Sequence, residues 1–301
     1  MKRKMAIVLT MGLVAGLTGC GSNRQNAVNE VTEQIATQEQ TTTEEENASS
    51  EQEGTEITET TDVTDATETE KVEDDSASGD LVAIQYEEKQ DDRTLEDGTV
   101  SLSVYYQRPT ITINGNAEAT AVIEQVVASD EEDFFINCDS LEQEAALTFA
   151  DGVTEDMPAY ANEVRFAEER VDDKVISLVR NSYSYIGGAH GMSYVSGMNF
   201  NSNTGEKLTI DNIAQNKDAF IEEVKTYIQG LCESDEYKDR LMPGYEEYLD
   251  TILQDDLWYF DSEGVTFIAN QYVLAAYAEG ILCFTVPYEE LQNLKPEYLK
   301  N

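Results

Sequence analysis

"YSYIGGAHGMSYVSGMNFNSNTGEKLTIDNI", residues 183–213, sets the plan of this chain. Aromatic and β-branched residues flank a glycine-rich break, which predicts two strands meeting at a tight connection. Gly187, Gly188 and Gly191 frame His190, the only histidine in the chain. Glycines in such a place supply positive φ angles or leave room for a close backbone neighbour. Thr204-Gly205 predicts a further turn where the second strand ends.

The same periodicities extend outward from this stretch. Upstream, "NEVRFAEERVDDKVISLVRNSYSYI" reads as two strands joined near Asp172 and Asp173. In "TVSLSVYYQRPTITI", Val100, Leu102, Val104 and Tyr106 alternate and Ile111 and Ile113 follow, with Pro109 marking a break or an edge. Asn116 is placed to cap a helix lined by Ala119, Ile123, Val126 and Val127. Downstream, Phe220, Val224, Tyr227 and Leu231 give an amphipathic helix, and Tyr245, Leu249 and Ile252 suggest another. "GVTFIA" and "GILCFTVPY" are strands, the second an apolar run suited to a central position. Successive strands with helices set between groups of them predict an α+β fold with antiparallel sheets and packed helices, not a βαβ repeat.

The N-terminal third is of another kind. Lys2, Arg3 and Lys4 precede an apolar run from Met5 to Leu17, too short to span a bilayer but right for a signal-peptide core. "LTGC" then places Cys20 as a lipidation site, so residues 1–19 are expected to be a lipoprotein signal peptide. Two acyl chains on Cys20 would suffice to hold the protein at the extracytoplasmic face of the cell membrane. Residues 20–95 are expected to be the lipidated cysteine and an acidic linker; between Gly21 and Asp80 there are 18 acidic and 2 basic residues. Such a composition buries too little apolar surface to offset its ordering entropy.

From Leu81 onward 43 acidic residues face 14 basic ones, a net of −29. Nucleic acid is therefore not an expected partner, and a cationic partner would be steered in. No G-x-S-x-G elbow, phosphate loop or EF-hand loop occurs. Cys138, Cys232 and Cys283 lack the spacing of a zinc site, and with His190 make no recognisable ligand set. Cys232 and Cys283 read as small core residues; a disulfide between two of the three is left open. Adjacent carboxylates such as Glu168 and Glu169 are expected by chance in so acidic a chain. No cofactor, metal or catalytic residue is called for, and the chain is not expected to be an enzyme. Tyr183, Tyr185, Tyr194, Tyr272 and Tyr277 are divided between core and recognition roles.

The 183–213 stretch resembles the tyrosine–GGAHG–strand–turn–helix passage of the RsiV C-terminal-like family, and "WYFDSEGVTFIANQYVLAAYAEGILCFTVPYEEL" resembles that family's ending. Residues 96–185 resemble the domain that precedes it, of the Deacetylase PdaC N-terminal type, leaving 186–301 as the RsiV-like part. The resemblance implies an extracellular binding module, with lysozyme the ligand in RsiV and a wall deacetylase domain following the pair in PdaC. Neither an anti-sigma segment nor a deacetylase motif is found, so the expectation is the binding module alone on a lipid anchor. Gly187, Gly188, His190, Gly191, Tyr272 and Tyr277 are its candidate binding residues. The expected partner is a cationic protein such as lysozyme. The alternatives are a peptidoglycan-binding module, or a hydrolase or deacetylase acting on the wall.

Overall fold

The computed structural model describes residues 81–150 and 157–300. The expected signal peptide, Cys20 and the acidic segment up to Asp80 lie outside the described residues. The fold is the expected α+β, with one crossover that links parallel strands. The first sheet has the order β1-β3-β4-β5-β6, with β2 also on β3. These strands are β1 (Val82–Gln90), β2 (Arg93–Thr94), β3 (Val100–Ile113), β4 (Tyr160–Val171), β5 (Val175–Tyr185) and β6 (Met192–Asn201). All pairings are antiparallel except β3 with β4, which are joined through the helix α1 (Ala117–Ala150).

The folded part begins earlier than residue 96, where the linker was expected to end. β1 runs from Val82 and pairs with β3 over its whole length, because Val82, Ile84 and Tyr86 give one apolar face to an otherwise acidic strand. β3 is a single strand through Pro109. That proline lies beyond Tyr106, the last β3 residue paired with β4, so its missing N–H costs the ladder little. There the Gln107 side chain takes over, its Oε1 accepting the Phe166 N–H at 2.8 Å.

Asn116 caps α1 as expected, its Oδ1 accepting the Ala119 N–H at 3.1 Å. The helix then continues through the acidic stretch to Ala150, well past the expected apolar face. Phe134, Cys138, Ala145 and Phe149 extend the buried stripe set by Ala119, Ile123 and Val127. The carboxylates occupy the other faces, and Glu, Ala and Leu are good helix formers. Phe134 and Phe135 pack on Tyr106 with ring centroids 4.9 and 6.0 Å apart, seating α1 on the sheet.

The second part holds α2 (Ile210–Ile213), α3 (Lys217–Cys232) and a three-stranded antiparallel sheet, β7 (Trp258–Phe260), β8 (Gly264–Ala269) and β9 (Leu282–Pro287). Phe220, Val224, Ile228 and Cys232 are the buried line of α3, with Tyr227 and Leu231 packed beside them. Tyr245–Ile252 is a 3-10 helix, not an α-helix, entered through Gly244 at φ 82°. β8, buried along its length, is the central strand; β9, expected there, lies at the edge with alternate residues half-buried.

The two sheets meet along β6. A Cβ on Gly197 would stand 1.7 Å from the Trp258 carbonyl oxygen, so only glycine admits this approach. The Gly197 N–H donates to Asp256 O at 2.8 Å, and Asn199 Nδ2 to Trp258 O at 2.8 Å. Behind β5 and β6, Val179 and Val195 pack against Tyr259, Ile268 and Ile281. The expected division at 185/186 thus falls in the β5–β6 hairpin, and β6 stays in the first sheet.

Candidate functional site

The β5–β6 connection is the glycine turn read from the sequence. Gly187 and Gly188 have φ of 89° and 97°, a region that disfavours side chains bearing a Cβ. Gly191 has another reason to be glycine: a Cβ there would lie 2.4 Å from the Tyr183 ring. Tyr185 Oη donates to Gly188 O at 3.1 Å and ties the turn to the strand.

His190 is exposed at the tip, and its ring stacks on Tyr277 with centroids 3.9 Å apart and planes 23° from parallel. Tyr277 Oη donates to Gly191 O at 3.1 Å, and His190 Nδ1 lies 3.0 Å from the same oxygen. That carbonyl can only accept, so the contact requires the proton on Nδ1 and leaves Nε2 as the acceptor of the neutral ring. Tyr272 extends the group, its ring centroid 5.6 Å from that of Tyr277. The structure therefore gathers Gly191, His190, Tyr272 and Tyr277 at one end of the molecule, although 80 residues separate the two parts in sequence.

Tyr272 has φ 66°, alone among the described non-glycine residues in the left-handed region. Such a conformation costs on the order of 1 kcal/mol or more for a bulky side chain and collects at functional positions. Tyr272 is also 52% exposed, so burial of its ring does not offset that strain. Ile186, Met192 and Tyr194 are exposed on the same hairpin. Tyr183 and Tyr185, by contrast, are buried core residues.

Beside this end lies a cleft of about 230 Å³ that sequence reasoning missed. Asn137 of α1, Asn162 of β4, Ser184 of β5, Tyr194 of β6, and Asn270 and Gln271 after β8 all line it. Asn270 and Gln271 also tie off the β6 edge: Asn270 Oδ1 accepts from Val195 N at 2.7 Å, and Gln271 Oε1 from Ser193 N at 2.9 Å. No local signal marks these residues, because five separated segments contribute them.

Cys138, Cys232 and Cys283, the described cysteines, are unbridged. Burial raises all three thiols, Cys232 to about 11 and Cys283 to about 12; Cys138 also accepts a hydrogen bond from Asn162 Nδ2 at 3.2 Å. Among the described residues no group of three or more His, Cys, Asp or Glu side chains is placed to hold a metal. Nor is any described helix long and apolar enough to cross a membrane.

Residues 95–193 match the family described as Deacetylase PdaC, and residues 208–289 match the family described as Protein of unknown function (DUF3298). In chain order, a match to the first family thus precedes a match to the second. Among solved structures it is similar to a DUF3298 family member from Bacteroides fragilis NCTC 9343, at 15% identity over 71% of this chain and 94% of that one, with a TM-score of 0.49. It is also similar to a DUF3298 family protein from Pseudomonas aeruginosa PAO1, at 15% identity over 72% of this chain and 94% of that one, with a TM-score of 0.42. No curated protein matches it.

Proposed function

We propose that the folded region is a non-catalytic binding module, held outside the cell by lipid on Cys20, whose partner is a cationic protein of the lysozyme kind. The observation that carries this reading is the disposition of charge. Ten of the 14 basic side chains from Leu81 onward, among them Arg93, Arg108, Arg170 and Arg180, already hold carboxylate partners. That leaves a surplus of 29 negative charges on the folded part with few free cations among the described residues to offset it. Such a field raises the rate of encounter with a basic protein and weakens as salt screens it. The His190–Tyr277–Tyr272 face offers what the field alone lacks, a rigid aromatic contact surface of the kind that carries binding energy.

Calorimetric titration of the chain with lysozyme, at low and at physiological salt, tests the proposal. Binding that weakens with salt and is reduced by Tyr272→Gly supports it. Absence of binding at both salt concentrations overturns it.

A further inference from the structure

The uncharged cleft is at odds with the rest of the molecule. In a folded part with 43 carboxylates, no charged side chain is among the described residues that line it. The charges that act on Tyr194 at its wall, Asp256 and Arg180, are of opposite sign. Its lining combines amides and hydroxyls with the Met192 side chain and the rings of Tyr183 and Tyr194. Several of these groups are only partly used among the described residues: Asn137 accepts from Asn162 Nδ2 at 3.1 Å and keeps its own amide donors, Gln271 accepts from Ser193 N and keeps its Nε2, and Ser184 Oγ stands at the cleft without a hydrogen-bond partner among them. Tyr194, 43% exposed, stands in the wall, and the strained Tyr272 follows Gln271 directly.

The geometry points to a saccharide subsite: the cleft takes one uncharged pyranose of a longer glycan. A cation would find no counter-charge in the lining, and an anion would meet the net negative field of the whole fold. An apolar ligand would strand the amides and hydroxyls without hydrogen-bond partners. A sugar ring satisfies both demands, with hydroxyls or an acetamido group for the amides and C–H faces for the tyrosine rings. The cleft is below the roughly 300–1,000 Å³ of sites for drug-sized ligands, which suits one ring and not an oligomer. This inference deepens the binding-module reading and concerns a surface beside the His190 face, so the two are separable by experiment.

The test is titration of the full chain, followed by chemical-shift mapping, with three probes: chitotriose, cellotriose and trigalacturonate. The expected result is binding of at least one neutral trimer, little changed by salt, with shifts at Asn137, Ser184 and Gln271. Preference for chitotriose assigns an acetamido contact, and equal binding assigns hydroxyl contacts. Asn137→Ala and Ser184→Ala, both small changes that leave core residues in place, should each weaken the neutral sugar about three- to tenfold. They should leave the thermal midpoint and lysozyme titration as in the parent. Failure of both neutral trimers to bind, preference for trigalacturonate, or neutral-sugar binding unaffected by both substitutions overturns the proposal, whatever the lysozyme result.

Discussion

Arg170 Nη1 donates to the backbone carbonyl of Tyr298 at 2.6 Å, tying β4 of the first sheet to the C-terminal end of the chain. The same Nη1 reaches Tyr288 Oη at 2.8 Å, and Nε pairs with Asp172 at 2.6 Å. Tyr288 Oη in turn donates to Asp261 O at 2.9 Å. One buried guanidinium therefore organises the contact between the two parts. Arg170→Ala should lower unfolding free energy by about 3 kcal/mol, since it removes the ion pair of Asp172 and leaves the Tyr298 carbonyl and Tyr288 Oη without that donor. Arg170→Lys should recover only part of this, because an ammonium lacks the planar fork. Urea denaturation of the three proteins measures it.

Gly197→Ala tests the seam between the sheets. With the Trp258 carbonyl in the way, the backbones must separate, at a cost of about 1–3 kcal/mol or more. Trp258 is the only tryptophan and is fully buried. Its fluorescence should shift to the red in the variant before global unfolding, and an unchanged spectrum would contradict the seam described here.

Acid should weaken the fold through Asp172. Burial raises its pKa, but bonds from Arg170 and from the Val175 and Lys174 N–H groups outweigh that and hold it below the ordinary 3.8. A depressed native value stabilises the fold above the unfolded value, and this contribution is lost as pH falls through the native one. Glu131, raised by burial yet lowered overall by Lys89 and Arg108, acts in the same sense. Thermal midpoints should therefore fall below about pH 4, and Asp172→Asn should show a shallower fall from a lower plateau.

The thiols should be silent in the native state. Burial keeps Cys138, Cys232 and Cys283 protonated at neutral pH, and only a thiolate attacks a disulfide reagent. A chain lacking residues 1–20 should react slowly with Ellman's reagent when folded and release three equivalents in denaturant.

Tyr272→Gly should uncouple stability from binding. Glycine tolerates φ 66°, so the substitution relieves backbone strain and should leave the midpoint unchanged or slightly raised. Removal of the exposed ring should nevertheless weaken the lysozyme complex. A variant that is both less stable and undiminished in binding would give Tyr272 a structural role instead.

Much of this fold is legible in local pattern. The alternation in β4, β5 and β6, the turn at Asp172, the cap at Asn116 and the positive-φ glycines at 187 and 188 each depend on neighbours in sequence. The full length of α1 was less plain, because Phe134 and Cys138 are spaced among carboxylates that mask the buried stripe. β8 and β9 show where local pattern ends: both are apolar, and only pairing with β7 puts β8 in the centre.

The sequence by itself determined the α+β class, strands β3 to β6, β8 and β9, the start of α1, the helix α3, the strong negative charge, and the aromatic character of the 183–213 and 258–291 stretches. Only the tertiary structure decided that His190 meets Tyr277 and that Asn137, Ser184 and Gln271 share a cleft. The physical reason is range. Backbone conformation and amphipathic faces follow from residues a few positions apart, whereas a site follows from which edges and faces meet. At the β6 edge that choice was made by a missing Cβ at Gly197 and by the side-chain amides of Asn199, Asn270 and Gln271.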